Sequence, residues 1–145
     1  MSTPEQAPAG TDVRVIGPDE RDTRTGQTPG LQRFEAVSAR LTGSQSMWMG
    51  YAVLAPGGKT GVHHHGASET AIYVLSGTTR WWVGDRLDDV REARAGDFVF
   101  IPPDIVHWEQ NASDTEPVEM VVARSTQDAI VVPVEGHPHA PDHAA

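Results

Sequence analysis

Between residues 46 and 134 the apolar residues come in short bursts bounded by turn formers: SMWMGYAVL ahead of APGGKTG, ETAIYVL ahead of SGT, TRWWV ahead of GDR, DFVFI ahead of PPD, then VEMVVAR and AIVVPV. Each burst is of strand length, is rich in Val, Ile, Tyr, Phe and Trp, and lacks a sustained helical period. Turn signals recur about every ten residues, the spacing of an all-β sandwich or barrel. A helical reading fails because Pro102, Pro103 and Pro117, with Gly57, Gly58, Gly77, Gly84 and Gly96, would interrupt nearly every candidate helix. LDDVREARAG fits either one short helical turn or a strand-to-strand connection. Residues 1–30 are rich in Pro, Gly, Thr and charge without apolar periodicity and read as an N-terminal arm. The barrel is expected over 31–134, and 135–145 reads as a C-terminal tail.

A chain of 145 residues supports one core and is too short for two ordinary domains. Its formal charge of -9 would repel nucleic acid and anionic membranes, so neither is expected as a partner. The opening MSTPEQAPAGTDVRV has no basic head and no apolar h-region, and no apolar run approaches membrane-spanning length, which makes a cytoplasmic protein the expectation. Cysteine is absent, excluding disulfides, thiolate catalysis and sulfur-ligated metals. Any metal must use nitrogen or oxygen donors.

The stretch GVHHHGASETAIYVLSG, residues 61–77, concentrates such donors. In a strand His63 and His65 project to one side and His64 to the other, so the outer pair can grip one ion. His107, which follows a double-proline turn in GDFVFIPPDIVHWEQN, is the best third ligand from another strand. Three neutral imidazoles form a common catalytic site for a divalent metal, leaving positions open for water or substrate. A surface histidine run is the plain alternative. His64 reads as outward-facing, and His137, His139 and His143 as part of the tail.

With these two segments in view, the chain resembles the cupins, small jelly-roll barrels (double-stranded β-helices) marked by two motifs. The first runs here from Gly57 through His63, His65 and Glu69 to Gly77. The second runs from Gly96 through Pro102, His107 and Asn111, with Asp104 in the usual glycine position. The resemblance covers roughly residues 45–125. It implies an all-β, single-domain cupin jelly-roll barrel with one divalent metal ion on His63, His65 and His107: zinc first, with iron, nickel, manganese and copper also compatible. In the commoner spacing the motif glutamate would stand at Thr70, and strand alternation puts Thr70, Ile72 and Val74 on the cavity face. Glu69 is then one step out of phase, and reaches the ion only if a bulge re-aims it. It is expected as fourth ligand or catalytic base; His64, a tail histidine or water are the other candidates for the fourth position.

Trp48, Tyr51, Tyr73, Trp81, Trp82, Phe98, Phe100 and Trp108, with Met47, Met49, Ile72 and Val74, suggest an interior that is apolar except at the metal, suited to a flat, largely apolar ligand. Trp81 and Trp82 must face opposite ways, one into the barrel and one outward, where a partner subunit could cover it. Two mechanisms fit. An ion can act as Lewis acid on a carbonyl while a carboxylate removes an acidic proton, giving isomerisation, aldol-type ring closure or dehydration. Alternatively a redox metal holds a phenolic substrate and dioxygen together, as in quercetinase-like dioxygenases. The resemblance implies the first, through the cupin-type cyclases of bacterial aromatic polyketide and antibiotic pathways, with a polyketide-like substrate. A non-enzymatic ligand-binding cupin is the third reading. Cupins commonly pair through outer strands, so a homodimer is expected.

Overall fold

The computed structural model describes residues 12–127 and 130–141. The first part of the expected arm, residues 1–11, and the end of the tail with His143 lie outside the described residues. Among the described residues ten strands fall into two antiparallel sheets. One holds β1 (Leu31–Val37), β2 (Trp48–Leu54), β9 (Val118–Arg124), β4 (Thr70–Ser76) and β7 (Phe98–Ile101), in that order. The other holds β10 (Val132–Pro133), β3 (His63–His64), β8 (His107–Asn111), β5 (Thr78–Val83) and β6 (Asp89–Arg94). Every connection that jumps a strand passes between the sheets, so the chain closes as a β-sandwich of the jelly-roll kind. A short helix, α1 (Ala39–Thr42), is capped by the Ser38 hydroxyl and ends on Gly43 in the left-handed region. Among the described residues no helix is long and apolar enough to cross a membrane.

LDDVREARAG supplies strand β6, because Asp89–Arg94 pair residue for residue with Thr78–Val83. This strand ends its sheet, and its alternating acidic and basic residues suit an edge facing water. Asp22 and Thr28 bridge to Glu35 and Leu31, so the described end of the arm lies along β1.

Strict alternation sets what each sheet turns inward. In β2 Trp48, Gly50, Ala52 and Leu54 are buried, and in β9 Val118, Met120, Val122 and Arg124. A side chain at Gly50 would strike the Phe34 carbonyl and the Trp48 ring, at 2.3 and 2.6 Å from an added Cβ. The absence of one lets the indole lie flat inside the barrel. Asn111, the last residue of the second motif, is a tie: its amide donates to the carbonyls of Leu54, Ala55 and Glu116, and its oxygen accepts from Ser113 N–H. Asp104, in the motif's glycine position, holds a left-handed backbone with φ 60, which Asp tolerates better than most residues.

Parity also corrects the expected interior. Val99 and Ile101 of β7 face inward, which turns Phe98 and Phe100 out, where they are 80% and 60% exposed. Met49 likewise alternates outward from Trp48. Trp81 enters the core, and its neighbour Trp82 stacks on Trp108 of the same chain, 3.9 Å apart and nearly parallel, over Val62 and Leu87. Their places inside are taken by polar groups: Arg33, Thr60, Thr79, Glu109 and Arg124 are all buried.

Candidate metal centre

Sheet register brings the two motifs together. β3 and β8 pair through His63 opposite His107, and the strand direction puts His65 on the same face as His63. The ring centroids lie 4.9 Å apart for His63 and His65, 4.4 Å for His63 and His107, and 5.1 Å for His65 and His107. One nitrogen from each ring lies within 4.8 Å of the other two. All three rings are buried.

Their other nitrogens are fixed by main-chain carbonyls. His63 Nδ1 is 2.7 Å from Gly61 O, His107 Nδ1 2.9 Å from Ile105 O, and His65 Nδ1 2.7 Å from Ile130 O. A carbonyl only accepts, so each Nδ1 carries the proton and each Nε2 presents a lone pair. His63 and His107 Nε2 are buried with no hydrogen-bond partner. Burial, joined by neighbouring positive charge, holds the three rings far below the usual imidazole range, to about 4 for His107, so they stay neutral. Neutral rings with orphaned, converging lone pairs fit a divalent cation, which would satisfy those lone pairs without requiring them to take protons.

Glu69 stands outside the cluster. It is exposed, between buried Ser68 and Thr70, and its backbone exchanges hydrogen bonds with Ser125. No bulge re-aims it: strand parity turns Glu69, expected as fourth ligand or base, outward and away from the three converging histidines. Glu69→Gln is expected to leave metal content unchanged and turnover within about 2-fold, as for most exposed substitutions; elemental analysis and rate assays check this. His64 Nδ1 accepts from Gly66 N–H, and His137 Nε2 meets the Asp85 carbonyl, both away from the cluster.

A carboxylate that does lie on the histidines' side of the sheet is Glu109, on the same face of β8 as His107 and two residues further on. Its Oε2 has no hydrogen-bond partner, and burial pushes its carboxyl up to about 7 against the opposing pull of Arg33 and Arg124. Arg124 donates from Nε to Thr70 Oγ1 at 2.9 Å, its Nη2 lies 3.5 Å from His65 Nε2, and its guanidinium sits 5.7 Å from the Trp48 ring. Sequence reasoning missed Arg33, Glu109 and Arg124.

A cavity of about 240 Å³ opens between β5, β6 and β7 and reaches His107. Trp81, Val83, Val99, Ile101 and Ile105 make its walls apolar, and the Asp89–Arg91 ion pair stands at its rim.

Comparison with known proteins agrees with this fold. The chain is 37% identical to Protein SchB of Streptomyces halstedii over 93 residues, 61% of this chain and 64% of SchB. A structure of oxalate oxidase superposes with a TM-score of 0.63 at 25% identity, covering 78% of this chain and 58% of that one. An uncharacterized protein with a double-stranded β-helix domain from Klebsiella pneumoniae gives 0.64 at 20% identity, covering 86% of this chain and 99% of that one. The chain thus spans less than two thirds of SchB and of the oxalate oxidase chain. Residues 50–124, which carry both histidine motifs, match the Cupin domain family model, and the chain belongs to that family.

Proposed function

We propose that this cupin is a metal-dependent cyclase that closes rings on poly-β-ketone chains. The observation that carries the reading is the convergence of three neutral imidazoles, two of them with unpartnered lone pairs, with His107 lining an apolar cavity and buried Glu109 two residues along the same strand. Bound on His63, His65 and His107, a divalent cation, zinc in our reading, supplies Lewis acidity toward a carbonyl oxygen.

The chain's own groups supply the rest. The walls formed by Trp81, Val83, Val99 and Ile101 hold a folded ketide chain away from water, so that its methylene and carbonyl carbons stay in contact. Glu109 takes the proton of a methylene flanked by two carbonyls. As the new carbon–carbon bond forms, the attacked carbonyl oxygen takes up a proton, which Glu109 returns, and the resulting hydroxyl leaves with the remaining proton of the attacking carbon as water, leaving a ring double bond. Arg33 and Arg124 keep the carboxylate ionisable inside the barrel.

The likeness to oxalate oxidase supports a second reading, an oxygen-dependent enzyme. Elemental analysis and turnover of a short synthetic β-tetraketone, the shortest chain in which a methylene between two carbonyls can close a six-membered ring, under strict exclusion of air decide between them. A cyclase converts it at the aerobic rate, yields a cyclised product lighter by one water, and stops on chelation. Turnover that requires dioxygen would overturn the cyclase assignment in favour of an oxygenase, and a metal-free protein that binds the tetraketone unchanged would overturn it in favour of a binding module.

A further inference from the structure

The charges sealed inside the barrel do not balance. Arg33 is 1% exposed, Arg124 4% and Glu109 2%. The remaining buried carboxylate, Glu35, is bound by Arg40 at the surface. Two guanidiniums therefore share one carboxylate, beside imidazoles that are neutral, and a divalent cation on those imidazoles adds two further positive charges. Desolvated charge of one sign is costly unless an opposite charge joins it.

The register shows where that charge is missing. Trp48, Arg124, Thr70 and Ile101 lie in one row across four neighbouring strands, facing the histidines. Thr70 stands where the commoner motif spacing puts a glutamate. It offers a hydroxyl, which accepts from Arg124 Nε and turns the guanidinium toward His65. A cation therefore stands beside the place where the spacing would put an anion. Arg124 Nη1 is buried without a partner, and the contact of Nη2 with His65 Nε2 is at the long limit, so the outer edge of the guanidinium is free to bind.

We propose that the substrate is a free acid, whose carboxylate docks on Arg124 next to the histidine cluster and supplies the negative charge that Thr70 does not. Arg124 is on this account the residue that selects for acids. A guanidinium edge pairs with a carboxylate through two parallel N–H bonds, whereas a neutral amide or thioester of the same shape would leave the cation uncompensated. The inference rests on the reading of this cavity as a substrate site for a keto compound, and narrows that substrate to the keto acid.

The test uses benzoate, which is flat and small enough for the cavity, against neutral benzamide of nearly the same shape. Binding is read by titration calorimetry and by indole fluorescence, since Trp48 lies against Arg124 and Trp81 against His107. Benzoate should bind at least about 10-fold more tightly than benzamide, the preference expected of one charge-assisted pair. Arg124→Gln should bring the ratio near one with metal content unchanged, and Arg91→Gln, at the rim, should leave it intact. A ratio near one in the wild-type protein overturns the inference, as does a preference that survives Arg124→Gln or disappears with Arg91→Gln. Should Arg124→Gln fail to fold, the wild-type ratio alone decides. The titrations are repeated on chelator-stripped protein. An Arg124-dependent preference in a protein that never held metal would refute the metal-enzyme reading and leave this inference standing.

Discussion

His107→Ala is expected to yield a folded protein that has lost its metal and at least about 100-fold of its turnover, the scale on which ligand loss exceeds second-sphere changes. The ring's Nε2 has no partner within the protein, so its removal takes away only the Nδ1 bond to Ile105 O and the packing against His63 and Trp81. For the metal-free protein that costs about 1–2 kcal/mol, a small cavity and one hydrogen bond. The signature is a difference in linkage. Adding metal raises the wild-type melting temperature, because an ion that binds only the native state stabilises it, and leaves that of the variant unmoved. Elemental analysis and calorimetry with and without chelator check both halves. Unchanged metal content would remove His107 from the site.

Glu109→Gln should separate the chemistry from the metal. The substitution keeps the shape of the side chain and cannot accept the methylene proton, so turnover is expected to fall by about 10²-fold or more while the metal stays. Stability supplies a second readout. Burial raises the folded carboxyl from 4.5 to about 7, so between these values the folded state holds a proton that the unfolded state releases. The contribution is full below pH 4.5 and is lost as pH rises toward 7. In metal-free protein the variant should therefore gain on the wild type across that window, by about 3 kcal/mol at most. Taking the difference between the two proteins cancels the histidines, whose depressed values act in the opposite direction. A flat difference would place Glu109 in a wetter setting than its burial indicates.

The contrast between Glu69 and Glu109 shows how far residue order carries. Turn spacing and β-rich bursts delimit the strands, and the parity of His63 and His65, with the second motif, brings the three imidazoles into one place. The same parity applied to HWEQN puts Glu109 beside His107, and in VEMVVAR it puts Arg124 in line with Val118, Met120 and Val122. Those signals were present, yet a charged residue in a strand ordinarily marks the wet face, and only tertiary closure shows these inside. FVFI is the opposite case. Both parities are apolar, so alternation has no contrast to read, and the larger rings, which volume alone would assign to the core, lie outside.

Two of the three imidazoles are held locally, by carbonyls two residues before them, whereas His65 leans on Ile130, 65 residues further along the chain. Until the stretch beyond β9 has come to rest against β3, that ring is at liberty to rotate and to exchange its protonated nitrogen. Affinity for an ion is thus thermodynamically coupled to the seating of the stretch that carries Ile130. A nascent barrel complete through Arg124 would have its walls but only two of its three donors locked.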